Sequence, residues 1–207
     1  MRKNLLKQLT MALLLTIAVP TLNAQVAHVG DILCEGNLVI SPANYDANIH
    51  TAIGVVFYVD NTGQHGWAVA LMNAGSYKWG PEPNDTPLPN YSEQRQAIYD
   101  LNGYENTRII RNYGTNFPAF YALDFSNGWY LPAIGQLNIL YANQVEVNAV
   151  LELLGGTALN WNYWSSTERY QYVAWVLTSQ GEVWNCISNG YISYKQVSRN
   201  VRGAHNF

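Results

Sequence analysis

The segment AIGVVFYVDNTGQHGWAVALM constrains the fold most tightly. β-branched and aromatic residues run from Ile53 to Val59, Asp60-Asn61-Thr62-Gly63 supplies a turn, and Trp67 to Leu71 run back. Such residues suit a pleated, half-buried surface, and a Gly-containing turn between two such runs closes a β-hairpin. Just upstream, Ile32–Cys34 and Leu38–Ile40 flank Glu35-Gly36-Asn37, which predicts another hairpin. The chain is committed to antiparallel sheet early.

The pattern then changes. The run YKWGPEPNDTPLPN holds four prolines and predicts irregular chain. Ser92 is placed to cap a helix over 93–102 that Gly103 stops. Asn106 can cap a second helix through Tyr113, and Pro118 suits the first turn of a third. Leu131-Pro132 opens a fourth, with Ile134, Leu137, Leu140 and Tyr141 among its apolar positions. Val147, Val150, Leu151 and Leu154 carry helical spacing for a fifth over 145–154. Strands return in the last third. Val173, Trp175 and Leu177 alternate with Tyr172, Ala174 and Val176; Val183 to Ile187 runs back; Asn189-Gly190 marks a tight hairpin; Tyr191–Tyr194 and Val197–Val201 follow. Strands, then a central helical segment, then strands predict a single α+β domain over 25–207.

The first residues have a different purpose. Arg2, Lys3 and Lys7 precede an apolar run from Met11 to Val19, then Pro20 and a small-residue exit at Ala24. This reads as a signal peptide over 1–24, too short for a permanent membrane span. No later stretch is apolar enough to cross a bilayer, so the expected location is periplasmic, cell-surface or extracellular. Removing 1–24 takes away three of eleven basic residues and none of fourteen acids, leaving eight against fourteen, a net charge of −6. That balance excludes a general nucleic-acid binder, which needs a basic surface. In an exported chain, Cys34 and Cys186 are either a disulfide or two buried thiols.

Candidate reactive groups do not assemble into a catalytic set. Ser165-Ser166-Thr167 lacks a Gly-x-Ser-x-Gly frame and a nearby histidine, and reads as hydroxyls bonding to backbone. Glu168 and Glu182 are the pair to weigh for glycoside hydrolysis, with Glu182 in a predicted turn. His28, His50, His65 and His205 have no metal-ligand spacing. Glu82-Pro83-Asn84 offers oxygen ligands of the kind calcium takes, but inside an irregular loop. The expectation is a non-enzyme with no cofactor and no metal. Arg169, Lys195, Arg199 and Arg202 form the one basic cluster.

The run GWYLPAIGQLNILYAN from Gly128, then YWSSTE from Tyr163 to Glu168, Ala174-Trp175, and the closing VRGAHNF resemble the Lcl C-terminal domain family of bacterial secreted proteins. GDILC and IGVVFYVD fit the same pattern, so the resemblance spans nearly the whole mature chain. It implies a C-type-lectin-like arrangement in which Trp129, Leu131, Pro132, Trp164, Ser165, Ser166, Thr167 and Trp175 mark the fold. It also implies a surface module, since the adhesin that names the family is implicated in binding sulfated polysaccharides.

One stretch, WNYWSSTERYQYVAWVLTSQGEVWN, holds four of the seven tryptophans. Trp164 and Trp175 are expected in the core. Trp161, Tyr163, Tyr170 and Tyr172, with Trp184 beside them, are expected to form an exposed aromatic platform for a surface glycan or an envelope protein. The functional expectation is a binding or adhesion module; the alternative is a structural component of an envelope or pilus assembly.

Overall fold

The computed structural model describes residues 26–160, 162–178, 183–184 and 194–207. The expected signal segment, Trp161, Glu182, Cys186 and Asn189-Gly190 lie outside the described residues. The early hairpins form where their residues predict. β1 (Ile32–Cys34) pairs antiparallel with β2 (Leu38–Ile40), and Gly36 takes a left-handed φ of 74° in the turn between them. β3 (Ala52–Val59) pairs with β4 (Gly66–Ala70), and Asp60 ties the turn by accepting from the Thr62 amide at 3.1 Å and its hydroxyl at 2.7 Å. β10 (Ala204–Asn206) adds to β4, and β1 adds to β3, giving a five-stranded antiparallel sheet in the order β10-β4-β3-β1-β2.

A second five-stranded sheet collects segments from further apart, in the order β5-β9-β6-β7-β8. Its strands are β5 (Gly75–Lys78), β6 (Tyr163–Tyr170), β7 (Val173–Leu177), β8 (Val183–Trp184) and β9 (Ser198–Val201). The β6–β9 contact is parallel, through Tyr163 and Asn200, while its neighbours pair antiparallel. Between β5 and β6 in sequence lie α1 (Gln94–Ala97), α2 (Gly103–Tyr113), α3 (Pro118–Tyr121), α4 (Ile134–Ala142) and α5 (Gln144–Leu153). Together these elements make an α+β domain.

Three local expectations are corrected. The helix over 93–102 shortens to α1, and Gly103 opens α2 instead of ending its predecessor. Gly103 lies against the start of α4, where a Cβ would come within 2.3 Å of Gln136 Oε1 and 2.7 Å of the Ala133 nitrogen. The glycine serves close approach of two elements, which local sequence cannot announce. Asn106 is then inside α2, buried, and not a cap. Pro132 precedes the Ala133 cap of α4, and its carbonyl accepts from the Ser166 amide at 2.9 Å.

Both faces of the second sheet are covered, which explains why all five residues of β7 are buried. Tyr163, Trp175 and Leu177 share one core with Ile32, Val55 and Phe57 of the first sheet and with Leu137, Leu140, Val147 and Leu151 of α4 and α5. Trp164, Ala174, Val176 and Val201 face the opposite way, into a core with Trp79, Ile110, Phe117, Phe120 and Leu131. A strand apolar on both faces is expected where helices sit on both sides.

Candidate functional site

Ser165, Ser166 and Thr167, read as hydroxyls bonding to backbone, are buried in strand β6. Their hydroxyls bind the motifs to one another. Thr167 Oγ1 donates to Asp100 Oδ2 at 2.7 Å and accepts from the Ile134 amide, at the first turn of α4, at 2.9 Å. Ser165 Oγ donates to the Trp175 carbonyl at 2.8 Å. Asn106 Nδ2 bridges Asp100 Oδ2 at 2.9 Å and Ser166 Oγ at 3.2 Å. Thr107 Oγ1 accepts from the Leu131 amide at 3.1 Å. Buried polar groups persist when paired in this way. Leu131-Pro132 and the strand from Trp164 to Thr167 are therefore held as one hydrogen-bonded unit, with the Ser166 amide donating to the Pro132 carbonyl.

The expected platform is only partly assembled. Tyr163 is the clear correction: it has no solvent exposure, and its hydroxyl donates to Asn73 Oδ1 at 2.9 Å. Its register opposite Leu177 points it into the core, whereas its neighbours in sequence gave it the look of a loop residue. Trp161 lies outside the described residues, and Trp184 is placed in β8 through its backbone alone. Tyr170 and Tyr172 do come together. The pairing of Tyr170 with Val173 leaves Gln171 and Tyr172 as a tight turn, so both tyrosines stand at the tip of a hairpin. Each ring keeps 37 % of its surface in solvent, and the two meet edge to face with centroids 6.3 Å apart.

Sequence reasoning missed the neighbours of these rings. Tyr194, also exposed, is bridged to Val173 and stands beside the tip. The Arg169 guanidinium lies 5.4 Å from the Tyr170 ring and 5.9 Å from that of Trp175. Its Nε donates to the Ser92 carbonyl at 3.3 Å, while Nη1 is shielded from solvent with no hydrogen-bond partner among the described residues. The Glu82–Asn84 loop edges the tip, with the Asn84 amide donating to the Gln171 carbonyl at 2.9 Å. The loop's oxygens already have protein donors: Glu82 Oε1 accepts from the Gln196 amide at 2.7 Å, and Asn84 Oδ1 from the Tyr113 hydroxyl at 3.2 Å. Among the described residues no group of three or more His, Cys, Asp or Glu could hold a metal ion.

The basic cluster also separates. Arg202 is buried and donates to the carbonyls of Ala70 at 2.7 Å, Leu71 at 2.9 Å and Thr157 at 2.9 Å. Burial pushes its guanidinium below the ordinary arginine value, with Tyr163 opposing. Lys195 is buried against Glu168, which removes Glu168 from any pairing with Glu182 at a solvent-exposed site. Arg199 lies over the Trp164 ring at 5.7 Å. Among the described residues Cys34 has no disulfide partner and is buried in β1, where burial pushes its thiol pKa up; Cys186 lies outside the described residues.

A concave feature lies at the seam of the sheets. An open apolar cleft of about 440 Å³ is lined by Ile53, Leu71, Met72, Leu123 and Trp129, with Asn73 and Asp124 at its polar edge. Trp129, one of the fold-marking residues, is only partly buried. Gly54 makes room for it, since a Cβ there would lie 3.3 Å from the ring.

No family model and no curated protein matches this chain. Its fold is similar to that of a fimbrial protein from Bacteroides ovatus, with a TM-score of 0.66 at 19 % identity over 87 % of this chain. The chain spans about half of that protein, 49 % of its length. Among the described residues no helix is long and apolar enough to cross a membrane.

Proposed function

We propose that this chain is an exported, non-catalytic component of a surface filament of the fimbrial kind. The observation that carries the reading is the fold likeness to a fimbrial protein over 87 % of the chain. The hydroxyl-rich strand 163–168 supports a non-catalytic role, because Ser165, Ser166 and Thr167 are buried and bonded to structural partners. The Lcl C-terminal domain resemblance points the same way, toward the outer surface. The test is to shear filaments from cells of the source organism and probe them with antibody to this chain. Co-purification with filaments, and filaments changed in number or length on deletion, are the expected results. A chain found only in soluble fractions, with filaments unchanged by its deletion, overturns the reading.

A second role, glycan contact at the β6–β7 tip, is favoured by one group of observations. Tyr170 and Tyr172 are exposed to solvent beside the Arg169 guanidinium. Aromatic faces with adjacent donors suit sugar rings, which combine apolar faces with hydroxyls. Binding of the exported chain on a glycan array, lost in the variant carrying both Tyr170→Ala and Tyr172→Ala, is the expected result. Equal binding by both forms removes the tip from this role.

A further inference from the structure

Two residues back from the tip, Glu168 meets Lys195 with neither side chain exposed to solvent. Lys195 Nζ contacts Glu168 Oε1 directly and donates to the Asn84 carbonyl at 2.6 Å. The Trp79 ring closes one side, 4.7 Å from Nζ. On the other side, Thr86 donates its hydroxyl to Glu168 Oε2, and its backbone nitrogen lies 3.3 Å from the same oxygen. Opposite charges withdrawn from water in this way carry a heavy desolvation penalty. Desolvation pushes the Lys195 ammonium toward its neutral amine, with the charges of Glu168, Asp85 and Glu82 opposing.

We propose that Lys195 and Glu168 are joined by an intramolecular amide, formed by condensation of the two side chains. The ammonium first passes a proton to the carboxylate within the contact, which leaves an amine and a carboxylic acid. The Nζ lone pair then attacks Cδ of Glu168. The N–C bond forms, the C–OH bond breaks, and the hydroxyl departs with a proton from the nitrogen as water. No oxidant, reductant or further reactant is consumed. Held in contact and shielded, the groups react as one molecule, an advantage reaching on the order of 10⁵–10⁸ M in effective concentration. The Thr86 donors stabilise charge on the carboxyl oxygen as the nitrogen adds.

The site also fits the product. The single N–H of the amide retains the Asn84 carbonyl as its acceptor, and the amide oxygen retains the Thr86 donors. Nothing polar is orphaned, and two buried charges are exchanged for a neutral group. The cross-link would fasten β6 to the turn that leads into β9, across 27 positions of chain. It stands apart from the filament reading and holds or fails independently of it.

The test is mass spectrometry of the natively exported chain, proteolysed under denaturing conditions. The expected product is a branched peptide joining the segment around Glu168 to the segment around Lys195, lighter than the two together by one water. Two separate peptides at full sequence mass overturn the proposal and leave an ion pair. The Lys195→Arg variant keeps the charge but cannot form this amide, so its peptides are expected at full mass. Water loss that persists in that variant places the dehydration elsewhere and also overturns the proposal.

Discussion

In the body of the β6–β7 hairpin, Trp164 and Trp175 are wholly buried, whereas at its tip Tyr170 and Tyr172 each keep 37 % of their surface. The difference lies in what each ring can reach. Trp164 Nε1 donates to the Tyr77 carbonyl and Trp175 Nε1 to the Tyr91 carbonyl, both at 2.9 Å, and Trp79 Nε1 completes the set by donating to the Ser165 carbonyl at 2.8 Å. Each indole fills a core and also satisfies a carbonyl more than eighty positions away in sequence. The tip tyrosines meet each other edge to face, Tyr170 in the last strand pair and Tyr172 in the turn beyond it. An aromatic-rich stretch is thus divided by position along the hairpin: positions in its body become core, and those of the last pair and the turn remain surface.

The sharpest break of this comparison is Trp164→Ala. It opens a cavity in the second core and leaves the Tyr77 carbonyl without its donor. Truncating a buried tryptophan costs roughly 3–5 kcal/mol, a large share of a domain's stability. Denaturant unfolding should show the midpoint falling steeply. A midpoint equal to that of the parent chain would show that this ring supports nothing.

Much of the frame was legible in the sequence because it is local. β1 with β2, and β3 with β4, are neighbours joined by short turns, so alternation and turn residues suffice to place them. The second sheet was legible only in pieces. β5 pairs with β9 through Gly75 and Val201, a partnership between ends of the domain that no local pattern carries. The site suffered similarly. Lys195 and Arg202 read as a surface cluster because charge in sequence implies solvent, yet each is buried among acceptors contributed by remote segments. Tyr194 joined the tip through a bridge to Val173 that only the folded chain provides.

Trp129 occupies the middle of the comparison. Its ring packs on Gly54 and Gly203 and meets His205 edge to face at 5.1 Å, but one side opens to the cleft. Because its ring is only partly buried, Trp129→Ala should cost less than Trp164→Ala, toward the lower end of the same range at about 3 kcal/mol. Thermal unfolding of both variants side by side checks the ranking, and a cost for Trp129 equal to that of Trp164 would make it a full member of the core. Tyr163→Phe follows. It retains the buried ring and removes only the hydroxyl that donates to Asn73 and accepts from the Asn160 amide at 3.3 Å. Losing a buried hydrogen bond costs about 1–3 kcal/mol when a partner is left unsatisfied. The lower part of that range is expected, since Asn73 Oδ1 also accepts from Arg202 at 3.1 Å. No change at all would return Tyr163 to the surface role that its sequence neighbours implied.

The smallest expected effect on stability carries the most information about function. The double change Tyr170→Ala and Tyr172→Ala removes two rings that fill no cavity and donate no hydrogen bond to the core. Exposed substitutions of this kind stay within about 0.5 kcal/mol each, so unfolding should be nearly unchanged. Their pairing contributes at most about 1 kcal/mol beyond that, by the usual worth of an edge-to-face contact. The variant therefore separates presentation from folding, which neither tryptophan can do. Filament incorporation and glycan retention are the two readouts. Loss of glycan retention with incorporation intact assigns the tip to ligand contact; loss of incorporation in a stably folded chain assigns it to a neighbouring subunit. A fall in stability comparable to that of Trp164→Ala would erase the distinction between the body of the hairpin and its tip, because it would mean that rings at the tip are as structural as those inside.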